Sequence, residues 1–114
     1  MIKNNSKKTI LARQIKYCNT IFSKALGLMF SKKIKAKALI FIFSKEKIIP
    51  LHNLFVFYPI DILFLDKNKK VVEIKENFRP FTFHTPKNKA LYIIELPQGM
   101  IKKSKTLLND KVEF

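Results

Sequence analysis

Apolar residues in this chain fall mostly into short unbroken runs rather than at helical spacing, a pattern that predicts strands more than helices. The clearest run, Ala38-Leu39-Ile40-Phe41-Ile42-Phe43, has strand length and is rich in Ile and Phe, so Lys37 to Phe43 predicts a strand covered on both faces. Thr9 to Tyr17 reads as a first short strand. Ile48 to Tyr58 and Ile60 to Asp66 read as two more, divided at Pro59, which cannot donate to a ladder and so marks a bend, bulge or edge. Asp66-Lys67-Asn68-Lys69 has turn chemistry and Lys70 to Lys75 returns as a strand, which predicts a hairpin. Ala90 to Leu96 is a further strand, and a turn at Asn109-Asp110 leads into a last one with Val112 and Phe114 inward.

Two segments break this pattern. After a cap at Asn19 or Thr20, the residues Ile21, Phe22, Ala25, Leu26 and Met29 recur at three- and four-residue spacings and predict a short helix ending near Gly27 or Met29. Pro97 opens a second short helix, because its missing N–H is not needed there, with Met100, Ile101, Lys105 and Leu108 along a weak stripe. Asn77 to Asn88, with Pro80 and Pro86, reads as an ordered loop or irregular strand crossing an open end of the sheet. Residues 1–8 are polar, lysine-rich and aperiodic and read as a flexible basic tail, leaving 9–114 as a single β-rich domain. The fold class is α+β, mostly β.

Composition supports one core and narrows the chemistry. With 114 residues, 47% of them hydrophobic and eleven Phe, the chain can build a core without disulfides or metal. Its single cysteine, Cys18, excludes an internal disulfide and reads as a small buried hydrophobe in a reducing, cytoplasmic setting. Met1 to Thr9 is followed by Arg13, Gln14 and Lys16 rather than by an apolar stretch, so no secretory signal is visible. Leu51 to Leu65 is interrupted by His52, Asn53, Pro59 and Asp61 and is too short and too polar for a helical span, so no membrane partner is expected. The formal charge of +15 would attract phosphate backbones. Against this, Lys greatly outnumbers Arg, and Lys, Ile, Phe and Asn all have codons built wholly from A and T. An A+T-rich genome produces that excess without selection for binding.

Several strings, in order, resemble the uncharacterised family catalogued as domain of unknown function 192: Gly27-Leu28-Met29-Phe30, Leu51 to Asp66, Val71-Val72-Glu73, Arg79-Pro80-Phe81, Pro86-Lys87 and Tyr92 to Gly99. The Pro59-Ile60-Asp61 and Glu95-Leu96-Pro97 strings carry the most weight. The resemblance implies a compact β-barrel-like sheet with short flanking helices. Many bacterial members have a polar Lys-Asn-Thr triplet upstream of the Pro-x-Asp string; here Leu54, Phe55 and Val56 stand there, which is similar to the archaeal branch. The family's usual Gly-Asp before the last strand is Asn109-Asp110, and Asn tolerates the positive φ such a turn needs. No activity or cofactor follows from the resemblance.

Four polar residues are candidates for a ligand site at one end of the sheet: His52, Asp61, Arg79 and Glu95. Asp61 lies between Ile60 and Ile62, where an unpaired carboxylate is expensive to bury. It either accepts backbone N–H bonds at the bend or pairs with a cation, or it serves as a pocket acid. Glu95 either points to the same end as Asp61, where two carboxylates would support acid–base work or hold a cation, or caps the following helix. Arg79 would clamp an anion bidentately or pair with one of these acids. His52 and His84 are the only histidines and belong to no metal-spaced motif. With only Gly27 and Gly99 as glycines and no GxSxG, nucleotide-hydrolysis and acyl-transfer templates are poorly supported.

Three functions are carried forward. The first is a non-enzymatic binding module for a small ligand or protein segment. The second is a basic nucleic-acid-binding domain using Lys67, Lys69, Lys70 and Phe81. The third is an enzyme built on Asp61 and Glu95.

Overall fold

The computed structural model describes residues 1–18, 37–52 and 58–114. Its centre is a five-stranded sheet in the order β3-β4-β9-β6-β7, made of β3 (Gln14–Cys18), β4 (Lys37–Lys47), β9 (Ala90–Pro97), β6 (Ile60–Leu65) and β7 (Val71–Phe78). The pairs are antiparallel except β3 with β4, which run parallel. The apolar runs that predict strands are the three inner ones: β6 is buried at all six positions, β4 buries Ala38, Leu39, Ile40 and Phe41, and β9 buries Ile93, Ile94, Glu95 and Leu96.

Each face of this sheet carries a smaller one. On the first face, β1 (Ile2–Asn4), β2 (Thr9–Ala12) and β10 (Val112–Glu113) form a three-stranded sheet in the order β10-β1-β2. Ile2, Leu11, Ala12 and Val112 from it pack with Ala38, Ile40, Leu63, Leu65, Ile94 and Leu96. On the second face, β5 (Leu51–His52) pairs with β8 (Phe83–His84). There Leu39, Phe41, Ile60, Ile62, Phe64, Phe78 and Ile93 form a separate core with Leu51 and Tyr58 packed against it. Successive residues of a strand point to opposite faces, so the central sheet divides two cores.

Several expectations are met. The β6–β7 hairpin forms, with Asp66 Oδ1 accepting the Asn68 and Lys70 amides and Lys69 at φ 61. Asn109 adopts φ 73 in the turn before β10, the conformation its side chain tolerates. The predicted helix over Ile21–Met29 lies outside the described residues, as does part of the Ile48–Tyr58 strand.

Others are corrected. Residues 1–8 are not a tail: Ile2 and Asn4 are buried in β1, which pairs with both β2 and β10. Two side chains supply what periodicity cannot register in so short a strand. Ile2 enters the core, and Asn4 Nδ2 donates to Thr106 Oγ1 and Asp110 Oδ2 at 2.9 Å each. The Thr9–Tyr17 strand is two strands, broken at Arg13, that join different sheets. The described sheets do not close into a barrel, because β3 and β7 remain the edges of the central one. Pro97 ends β9 rather than opening a helix. Gly99, at φ 87, turns the chain first, and a single helical turn, α1 (Met100–Lys103), follows. Among the described residues no helix is long and apolar enough to cross a membrane.

Candidate functional site

Asp61 and Glu95 sit on neighbouring rungs of the β6–β9 ladder, Asp61 opposite Leu96 and Ile62 opposite Glu95. Direct partners in a ladder share a face and adjacent positions alternate, so the two acids point to opposite sides of the sheet. Their partners agree: Leu96 belongs to the first core, and Ile62 and Leu39, which flank Glu95, belong to the second. Each acid is 1% exposed, yet their surroundings differ. The expectation that they meet is therefore corrected by strand alternation, and an enzyme that uses them as a pair has no geometric basis.

Asp61 is saturated with backbone donors. Its Oδ1 accepts the Asn77 amide at 3.0 Å, and its Oδ2 accepts the amides of Gly99 at 3.0 Å and Ile101 at 3.2 Å. One carboxylate thus ties the end of β7 and the β9–α1 turn to the inner strand β6. This is the backbone-accepting alternative, not the pocket acid, and no cation pairs with it among the described residues.

Glu95 has no such partners among the described residues. Among the described residues its Oε2 is the one buried side-chain polar atom lacking a hydrogen-bond partner. The other buried polar residues, Asn4, Asp61, Ser104, Thr106 and Asp110, all form side-chain hydrogen bonds. Lys16 and Lys75, which register places on the same face across Leu39 and Ile62, are each two strands and therefore about 10 Å away by strand spacing. Burial pushes the Glu95 carboxyl well above the usual glutamate range and so favours its protonated form, which has one donor and spare acceptors. It does not cap α1, whose N-cap Gly99 has no side-chain cap bond.

The second face is closed at its β7 edge by the segment from Arg79 to Lys89, and the residue that holds this segment is Glu73. Its Oε1 accepts the amides of Lys87 at 2.8 Å and Asn88 at 3.1 Å and the Asn88 side chain at 3.1 Å. Its Oε2 meets His84 Nε2 at 3.1 Å. Burial raises the Glu73 carboxyl, but these donors outweigh it and leave the group below its ordinary value. The His84 ring in turn packs against Phe64 and Phe78, with centroids 5.7 and 6.5 Å away. Glu73 is not among the candidates that the sequence singles out, although it stands in the Val71-Val72-Glu73 string; the long loop's unpaired backbone donors are the signal for a local acceptor.

The remaining candidates are dispersed. Arg79 is exposed beyond β7, its carbonyl accepting the Thr82 hydroxyl, and its guanidinium forms no ion pair among the described residues. His52 pairs with Phe83 in the β5–β8 ladder; its side chain lies outside the description. The four expected nucleic-acid contacts do not form one patch. Lys67, Lys69 and Lys70 occupy the hairpin turn and Phe81 lies past the far end of the eight-residue β7, roughly 25 Å away at ~3.3 Å per residue. Lys69 is also committed elsewhere, donating to the Phe114 carbonyl at 2.9 Å and lying 3.9 Å from that residue's ring centroid.

Residues 2–114 match the sequence signature of DUF192, described as "Uncharacterized ACR". The chain belongs to the DUF192 family. A UPF0127 protein of Pyrococcus horikoshii is 35% identical over 116 residues, covering 100% of this chain and 98% of the relative. The fold recurs in a crystal structure from Novosphingobium aromaticivorans of a protein of unknown function, with TM-score 0.81, 23% identity and coverage of 88% of this chain and 74% of that one. It recurs equally in a crystal structure of a candidate transcription regulator from Sinorhizobium meliloti, with TM-score 0.81, 20% identity and coverage of 87% and 79%. At these identities the two structures establish the shared fold alone. The DUF192 relatives that match this chain carry no assigned activity.

Proposed function

We propose that this DUF192 protein is a non-enzymatic binding module of the cytoplasm whose site is the second face of the central sheet, with Glu95 as its polar anchor. The orphaned Oε2 of Glu95 carries the reading. A buried polar atom without a partner costs about 1–3 kcal/mol, and such groups persist where a ligand, water or ion completes them. In its protonated form, which burial favours, the carboxyl both donates and accepts, and the surrounding residues Leu39, Ile62, Ile93, Phe64 and Phe78 are apolar. The ligand this suits is a small, mainly apolar molecule with one hydrogen-bonding head. Asp61 serves such a module only by fixing the opposite face, and Arg79 stands at the margin.

Thermal-shift screening against small amphiphilic metabolites, with native mass spectrometry of the purified chain, tests the reading. The expected result is a ligand that raises the melting temperature of the wild type and leaves Glu95→Leu unmoved. Equal shifts in both proteins, or no ligand for the wild type, contradict it.

A further inference from the structure

Between α1 and β10 the usual partition of side chains is inverted. Ser104, Thr106 and Asp110 are buried, while Leu107 and Leu108 are 59% and 56% exposed. Leucines turned outward among inward polar residues contradict the pattern that folding alone favours, and such an exception belongs where function uses it. The inversion is built by hydrogen bonds. Asn4 Nδ2 donates to Thr106 Oγ1 and Asp110 Oδ2, the Ser104 and Thr106 hydroxyls lie 2.7 Å apart, and Thr9 Oγ1 donates to the Ser104 carbonyl. The turn itself is closed twice, by the Asp110 amide on the Leu107 carbonyl at 3.2 Å and the Leu107 amide on Asp110 Oδ2 at 2.9 Å. It is pinned to the start of β7, where the Asn109 amide meets the Val71 carbonyl at 2.8 Å and the Val71 amide meets the Asp110 carbonyl at 2.9 Å. Leu107 and Leu108 therefore stand on a fixed support. The charge around them has one sign: Lys102, Lys103, Lys105 and Lys111 are exposed on the same stretch, and a β-bridge brings Lys70 beside Lys111. The one acid of the stretch, Asp110, is buried and occupied by Asn4, Lys7 and the Leu107 amide. The next acid along the chain, Glu113, lies opposite Lys3 in the ladder and accepts the Asn5 side chain.

We propose that the 102–111 segment is a contact surface for an anionic lipid bilayer, with Leu107 and Leu108 entering the boundary between headgroups and acyl chains and the surrounding lysines meeting the headgroup phosphates. Apolar side chains ringed by cations are what peripheral attachment to such a surface requires, since short-range burial and longer-range attraction add. Nucleic acid fits the same charge less well, because leucine offers no face on which a base can stack. The contact is peripheral and needs none of the span that Leu51 to Leu65 is too short and too polar to supply. It stands independently of the Glu95 site, which faces the second core.

Co-sedimentation of the intact chain with vesicles tests this, comparing equal parts of phosphatidylcholine and phosphatidylglycerol with phosphatidylcholine alone. Binding to the anionic vesicles is expected, weakening as salt is added, with little binding to the neutral ones. The double variant Leu107→Ser, Leu108→Ser should reduce partitioning roughly tenfold or more, and Lys103→Ala and Lys111→Ala about fivefold each. All four side chains are exposed, so melting temperatures should stay near that of the wild type. Lys87→Ala, which removes an exposed charge held against Glu73 at the second face, should act weakly. Three results would each overturn the proposal: no binding to the anionic vesicles at low salt, binding that the double leucine variant leaves intact, or a Lys87→Ala loss as large as that of Lys111→Ala. Binding of labelled oligouridine that the double leucine variant weakens as much as it weakens vesicle binding would assign the surface to nucleic acid instead.

Discussion

The two buried acids of the central sheet, one rung apart, have opposite surroundings. Asp61 faces the layer formed by β1, β2, β10 and α1 and spends both oxygens on three backbone amides. Glu95 faces the layer formed by β5 and β8 and leaves a buried oxygen without a partner among the described residues. Equal burial therefore says nothing about role; the donors within reach do. The first face is a finished structural joint, reinforced where Asp110 takes bonds from Asn4, Lys7 and the Leu107 amide, which together hold its carboxyl below the usual range against the raising effect of burial. The second face is mainly apolar, and among its described residues one buried side-chain polar atom is left without a partner.

Substitutions that treat the acids alike should separate them. Asp61→Asn sets an NH₂ group against backbone donors and should cost about 3 kcal/mol in denaturant unfolding; a neutral outcome would remove the clamp. Glu95→Leu replaces an unsatisfied polar group by an apolar one of similar size and should instead stabilise by about 1–2 kcal/mol. A loss of stability in that variant would show that Glu95 is a joint like Asp61. Glu73→Gln weakens the acceptor that ties down the 79–89 segment and should cost about 1 kcal/mol, with faster amide exchange at Lys87 and Asn88 as the sharper readout.

Much of the fold is legible in residue order because inner strands announce themselves as apolar runs: β4, β6 and β9 are read from their Ile, Leu and Phe alone. The same criterion fails for β1, where one buried Ile and one buried Asn in three residues leave no period to detect. Burial of Asp61 and Glu95 is likewise legible from their apolar neighbours. Their separation is not, since it depends on which strands pair and in what register. Asp61 and Glu95 are both odd-numbered, which says nothing about shared facing until Ile62 is known to stand opposite Glu95. Glu73 escapes notice for the opposite reason, since an acid on a half-exposed edge strand raises no cost that asks for explanation until the Lys87 and Asn88 amides converge on it.

The central claim is that the Glu95 carboxyl is buried without compensation, and the pH dependence of stability tests it directly. A folded-state carboxyl that titrates above its ordinary value of 4.5 binds its proton more tightly than the unfolded one. Its contribution is therefore fully present below that value and is lost as pH rises through the raised one. Glu73 and Asp110, held below their ordinary values, lose stability as pH falls, but that loss is common to both proteins and cancels in a comparison. Unfolding free energies of the wild type and Glu95→Leu, measured from acid to mildly alkaline pH, should diverge as pH rises, with the variant increasingly the more stable. A constant gap, or a wild type that gains on the variant with rising pH, would mean that the carboxylate is satisfied in the folded protein and that this face holds no vacant polar anchor.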